Sequence, residues 1–305
     1  MLSNSSINTD PVNALAAEAL LEKKRNRRWK IFFRLVYLTI AVSLVFFWFG
    51  DEDRSRQQPH TAVVDLEGII SSDSMANAYD VTYGLENAFA NEFSKGVILR
   101  INSPGGSPTQ SELINQEILR LKSEYPDKPL YAVVEDIGAS GGYYVAAAAD
   151  KIFVSPSSVV GSIGVRMDGF DLTGAMQQLG IERRLFTAGK NKGFLDPFLP
   201  LNPEQEIHAN SILNDIHQQF IDAVKSGRGD SLSDDPNIFS GLIWTGLQSI
   251  ELGLADQKGS VLSVSRDVIK QKNIVNYSVT EGVAERIARR IGSELLYKTI
   301  MYYIY

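Results

Sequence analysis

A serine set among glycines is the residue of this sequence best suited to acyl transfer. Ser140 stands in Gly138-Ala139-Ser140-Gly141-Gly142, directly after the strand-like run Leu130 to Glu135 and before Tyr143 to Ala149, which reads as a small-residue helix. A serine at a strand-to-helix junction presents its hydroxyl at the sheet edge, and flanking glycines let the backbone turn sharply and a substrate come close. Charge developing on a tetrahedral oxygen there would meet oriented N–H groups and a helix dipole. A tight turn with a helix-capping serine uses the same residues, so the pentapeptide alone leaves both readings open. A second glycine turn, Asn102-Ser103-Pro104-Gly105-Gly106, follows the strand-like run Val97 to Ile101. In a parallel sheet such turns converge at the carboxyl edge, so an amide of Gly105 or Gly106 can join that of Gly141 in an oxyanion hole.

The hydroxyl needs a base. His60 sits in a polar stretch, and His208 and His217 fall on what reads as a surface helix, none of them near a motif of the kind a histidine triad requires. The absence of cysteine removes thiolate nucleophiles, disulfides and thiolate zinc sites. That leaves lysine. A solvated lysine titrates near ~10.4 and is neutral in about one molecule in a thousand near neutral pH, a handicap of roughly 4 kcal/mol that burial must remove. The segment Ala188 to Phe198 carries Lys190 and Lys192 between glycines and apolar residues. Spacing does not distinguish the two lysines. No Walker-type glycine loop and no paired histidine–carboxylate spacing is present, so no cofactor or metal is expected.

These residues need a scaffold. Strand-like runs at Ala62 to Leu66, Val97 to Ile101, Leu130 to Glu135, Ile152 to Val154 and Arg184 to Thr187 alternate with helical periodicity, which predicts an α/β fold. Ile114, Ile118 and Leu121 mark one buried helix face, and Ile212, Leu213, Ile216, Phe220, Ala223 and Val224 mark a longer one. A chain of 305 residues, 44% hydrophobic and 22% charged, has globular composition. Its net charge of -6 argues against general nucleic-acid binding. Arg228-Gly229-Asp230 reads as a chance tripeptide in a polar loop.

Ahead of that domain lies a segment of another kind. Lys23, Lys24, Arg25, Arg27, Arg28 and Lys30 precede Ile31 to Phe49, apolar except for Arg34, Tyr37, Thr39 and Ser43, and Asp51 to Asp53 follow. Nineteen helical residues span about 28 Å, near the ~30 Å hydrocarbon thickness. The basic flank predicts a single pass with the N-terminus cytoplasmic and the bulk of the chain exported, periplasmic in a bacterial inner membrane. The expected partition is a cytoplasmic segment 1–30, an anchor 31–49, a linker 50–60, one catalytic domain 61–280 and a C-terminal amphipathic helix 281–305.

Four motifs in order resemble the signal peptide peptidase A family: Asn102 to Gly106, Gly138 to Tyr144, Gly161-Ser162-Ile163-Gly164-Val165, and the lysine segment ending in Pro197-Phe198. Trp244-Thr245-Gly246 and Gly253-Leu254-Ala255-Asp256 are similar too, while Ser249 stands where family members often carry alanine. The resemblance implies a serine endopeptidase with a Ser140–Lys192 dyad, Lys192 lying 52 positions after the nucleophile (192 − 140). It further implies that Ser162 positions the lysine amine and that Gly105, with Gly141, supplies oxyanion amides. By resemblance the fold is a Clp-protease/crotonase-like ββα spiral, and short single-domain members assemble into homo-oligomeric rings. The implied substrates are hydrophobic peptides such as cleaved signal peptides at the lipid bilayer. Three rival readings remain: a catalytically silent membrane scaffold of the same fold, a crotonase-like acyl-CoA enzyme, and a broader membrane-protein-fragment peptidase.

Overall fold

The computed structural model describes residues 10–279, with side chains for 20–43 and 55–279. The chain divides into two compact units between Gln57 and Gln58. The expected C-terminal helix 281–305 lies outside the described residues.

The first unit is one helix, α1 (Asp10–Arg56), of 47 residues. Among the described residues no helix is long and apolar enough to cross a membrane, and the described side chains cover only 31–43 of the expected anchor 31–49. Residues 44–49 fall outside the described side chains. Helix α1 continues through Arg56, into the stretch 50–60.

The second unit is α/β. In chain order it runs β1 (His60–Glu67), α2 (Ala78–Ala90), β2 (Ser94–Ser103), α3 (Pro108–Glu124), β3 (Leu130–Ala139), α4 (Gly141–Ala146), β4 (Lys151–Val154) and β5 (Val159–Gly161). It continues with α5 (Thr173–Gln178), α6 (Pro203–Arg228), β6 (Ile243–Thr245), α7 (Gly246–Glu251), β7 (Gln257–Lys258) and β8 (Ile274–Asn276). Eight strands form one sheet in the order β6-β5-β3-β2-β1-β8, with β4 on β3 and β7 on β4. All pairings are parallel except β5 with β6.

Strand periodicity decides the two faces. Ala62, Val64 and Leu66 of β1, Val97, Leu99 and Ile101 of β2, and Ala132 and Val134 of β3 point to the main core. Their alternates Val63, Ile98, Val133 and Phe153 point to a smaller cluster closed by Val264. The main face is covered by α2 through Val81, Leu85 and Phe89 and by α3 through Ile114, Ile118 and Leu121, all fully buried. Asn77 caps α2 by accepting the Asp80 N–H at 2.8 Å, while Ser107 followed by Pro108 starts α3.

Strand β3 forks. Its first part, Tyr131 to Val134, pairs with β4, and its end, Ile137 to Ala139, pairs with β5. Register then sets the site, because Ser103 at the end of β2 lies opposite Gly138 near the end of β3. The turns after these two strands are therefore neighbours, and β5 delivers Gly161 and Ser162 to the other side of Ser140.

Of the five expected strands, four are present and Arg184 to Thr187 is not. That stretch is coil, with Phe186 91% exposed. An apolar run makes a strand only where a neighbour accepts its hydrogen bonds, and none reaches it here. Four short strands (β5 to β8) escaped the sequence reading because two or three residues carry no periodic signal.

Candidate active site

Ser140 occupies backbone that a non-glycine residue rarely adopts, with φ 50° and ψ -124°. The conformation is held from both sides. The Ser140 N–H donates to Gly161 O at 2.8 Å, and Ser140 O accepts from Tyr144 N at 2.9 Å. Glycines make the crowding possible. A Cβ at Gly105 would stand 2.6 Å from Gly141 N and 2.7 Å from Ser140 Cβ, and one at Gly141 would press on Ser111 Oγ. The turn after β2 thus lies directly against the serine turn.

A cavity of about 940 Å³ opens over Ser140. Gly105, Gly106, Gly141 and Ser162 line it with the nucleophile candidate, and Ile69, Tyr144, Val165, Ile216 and Phe220 give it an apolar wall. Its charged lining side chains are Glu112 and Arg166. Burial, reinforced by Glu112 and Asp222, pushes the Tyr144 phenol above its ordinary range. The hydroxyls of Ser140 and Ser162 meet no protein partner among the described residues, and Ser162 shares the unusual backbone, with φ 53°.

Among the described residues the amides of Gly106 and Gly141, both of which line this cavity, have no protein acceptor. The Gly105 N–H is otherwise engaged, donating to Ser103 Oγ at 3.2 Å. Gly105 lies close against the serine turn, and the adjacent Gly106 amide has no protein acceptor among the described residues. The motif Asn102 to Gly106 holds both glycines, so only the hydrogen-bonding pattern separates them.

Lys192 does not join the group. Its side chain is exposed and lies outside the cavity lining, and Lys190 pairs with Glu204 at 3.0 Å with most of its surface in solvent. The lysines ride on a segment, roughly 166–201, that is exposed almost throughout and carries Phe170 (84% exposed), Leu179 (73%) and Phe186 (91%) outward. Within it Asp196 ties the lysine turn together, accepting from Phe198 N at 3.0 Å and pairing with Arg183 at 3.1 Å. The Phe198 amide, with Arg183, holds the Asp196 carboxyl below its ordinary range.

The histidines are structural, though two are better connected than the sequence suggested. His60 is fully buried at the start of β1, stacked on Tyr277 with ring centroids 5.8 Å apart. His217 Nε2 donates to Ile163 O at 3.1 Å, since a carbonyl can only accept. Arg228, read from sequence as part of a chance tripeptide, is instead buried, its Nε donating to Gly253 O and its Nη1 pairing with Asp256 at 3.0 Å. Beside it the Tyr143 hydroxyl donates to Leu254 O at 2.7 Å, and burial pushes that phenol up. Ser249, the departure from the family's alanine, is fully buried and donates to Gly246 O at 2.8 Å. Among the described residues no cluster of histidine and carboxylate side chains could hold a metal.

Comparisons with known proteins place the chain in a family. The sequence model of peptidase family S49 matches residues 122–275, which contain Ser140, Ser162 and Lys192. A protein named Na(+)/H(+) antiporter NhaA from Brucella melitensis is 45% identical over 188 residues, 62% of this chain but 25% of that protein. Serine protease SPPA of Arabidopsis thaliana chloroplasts is 33% identical over 179 residues, covering 58% of this chain and 26% of its own. Protease 4 of Haemophilus influenzae is 30% identical over 220 residues, covering 70% and 35%. The chain thus spans about a quarter to a third of the length of these relatives, and the antiporter name describes a protein lying mostly outside the match. A model covering half the sequence, over the segment that carries both serine turns and the lysine, shows that the chain belongs to peptidase family S49, the signal peptide peptidase A family.

Proposed function

We propose that this chain is a serine endopeptidase in which Ser140 is the nucleophile, the Gly106 and Gly141 amides stabilise the tetrahedral oxygen, and Lys192 of a second copy is the general base. One observation carries the reading: an unpartnered serine hydroxyl, on strained backbone, opens into a cavity beside two amides that have no other acceptor. Strain of this kind costs about 1–3 kcal/mol and persists where the surroundings over-determine it, as they do here. Donors already aimed at the developing charge need no reorganisation during the reaction.

The base is assigned to a neighbour because the chain's own lysine segment projects its apolar residues and Lys192 into solvent. Packing that segment against a second copy would bury Phe170 and Phe186 and bring an amine into a dry pocket. Ser162 then lies across the cavity from the Gly106 turn, free to hold the amine by its hydroxyl. Rings of such copies, and the ββα spiral reading supported by the fork in β3, belong to the same proposal.

Hydrophobic peptides, remnant signal peptides among them, suit the apolar wall formed by Ile69, Val165, Ile216 and Phe220. The basic and aromatic stretch of α1, with Trp29 stacked on Phe33 at 5.6 Å, supports anchoring at a bilayer, with the peptidase unit on the extracytoplasmic side. Mass spectrometry of products from a synthetic signal peptide tests the function. Internal cleavage by wild type and none by Ser140→Ala supports it, and equal cleavage by both refutes it. Labelling of Ser140 by a fluorophosphonate separates the peptidase from a silent scaffold.

A further inference from the structure

Ser103 closes the turn after β2 and lies wholly inside the protein, 0% exposed. Its hydroxyl is doubly engaged. It donates to Gly68 O at 2.6 Å, at the end of β1, and accepts the Gly105 N–H at 3.2 Å. Its backbone touches the third turn, because a Cβ on Gly142 would stand 2.8 Å from Ser103 O. One small side chain therefore bonds the turns after β1 and β2 while its own backbone abuts the turn after β3.

The next residues show what this does. Ile70 N donates to Gly105 O at 3.0 Å, and Ser107 N donates to Ile70 O at 2.8 Å, so the segment after β1 brackets Gly106 on both sides. With the Gly105 amide drawn back to Ser103 and both neighbours fixed, the Gly106 N–H is the one left facing the cavity. Without the hydroxyl, the buried Gly105 N–H would lack an acceptor, and the turn could relieve that by rotating the Gly105–Gly106 backbone. Such a rotation would swing the Gly106 donor from the oxyanion position.

We propose that Ser103 is a positioning residue of this peptidase: it directs the Gly106 amide at the reacting oxygen by occupying the Gly105 amide and the Gly68 carbonyl. The inference rests on the reading of Ser140 as nucleophile, and the experiment separates the two. Wild type, Ser103→Ala, Ser103→Thr, Ser103→Cys and Ser140→Ala are purified as full chains. Active sites are counted by end-point fluorophosphonate labelling, and kcat per labelled site, KM and inhibition by a peptide boronate are measured. Ser103→Ala is expected to lose about 10- to 100-fold in kcat, short of the full loss of an oxyanion donor, with KM within about twofold. Boronate affinity should fall in proportion, because the boronate mimics the tetrahedral species. Ser103→Thr, which keeps the hydroxyl, should restore most of kcat.

A merely structural role would lower the labelled fraction and the thermal midpoint and leave kcat per labelled site and boronate affinity unchanged, and that result overturns the proposal. Should Ser103→Ala not fold, Ser103→Cys, of similar size and weaker hydrogen bonding, gives the same comparison. Full turnover by Ser140→Ala would sink the nucleophile assignment itself. Wild-type kcat in Ser103→Ala or Ser103→Cys beside an inactive Ser140→Ala would sink only the role of Ser103.

Discussion

Supply of the base by a neighbouring copy gives a quantitative test. Ser140→Ala chains retain Lys192, and Lys192→Ala chains retain Ser140, so each variant alone lacks one half of every site. Co-expressed with different affinity tags and purified through both, the two chains share assemblies. Each site takes its serine from one chain and its lysine from the next, a head-to-tail contact. With equal, random mixing the serine is intact in half of the sites and the lysine in half of those, so about a quarter of wild-type activity per assembly returns. The structural basis is the exposed position of Lys192 outside the cavity that holds Ser140. Cleavage of a fluorogenic apolar peptide measures the activity, and the labelled fraction counts the intact serines. Mixed assemblies no more active than either variant alone would refute a lysine supplied from the neighbour. A Lys192→Ala protein with full activity by itself would remove Lys192 from the mechanism altogether.

Gly105→Ala should lower kcat/KM by about 100-fold or more, since its methyl would lie 2.6 Å from Gly141 N and force the two turns apart, and displacements near 1 Å at a site cost about that much. Arg228→Ala removes the ion-pair partner of Asp256, which keeps the Ile152 N–H at 2.6 Å, and should cost up to about 3 kcal/mol, read as a lower midpoint in thermal unfolding, while the paired change with Asp256→Asn should recover part of the loss. The Asp196 carboxyl is held below its ordinary range by the Phe198 amide and Arg183, so its tie to the lysine turn is complete above the unfolded value and is lost as pH falls through the lower folded one. Asp196→Asn should therefore reduce activity a few-fold at neutral pH, with the ratio of wild type to variant converging toward one on the acid side; a ratio that does not vary with pH would contradict this.

The sequence showed some features because they are local. The strands at Val97 and Leu130, the glycine turns that follow them and the buried stripe of Ile114, Ile118 and Leu121 are each written in a few consecutive residues. The residues it hid depend on partners far along the chain. Which of Gly105 and Gly106 keeps a free amide depends on the Ser103 hydroxyl and on Ile70, more than thirty positions upstream (105 − 70 = 35). Arg228 looked like part of a surface loop because its partner, Asp256, comes from another element. The apolar run at Arg184 misled for the opposite reason: its hydrophobic residues suit a strand, yet they face outward on the segment that carries the lysine.

The outward face and the cavity have complementary needs on the proposed reading. A surface that exposes large apolar groups is usually held by something else, and Phe170, Leu179 and Phe186 lie on the same segment as the lysine proposed as base. Ser140 is already strained, bordered by two free amides and faced by a second unpartnered hydroxyl, so its half of the site is preorganised in the single chain. What the single chain leaves out is the amine, the component whose action requires desolvation. On the proposed reading, delivering it together with the apolar surface that dries it would couple activity to assembly, and an isolated copy would carry a nucleophile with no base to activate it.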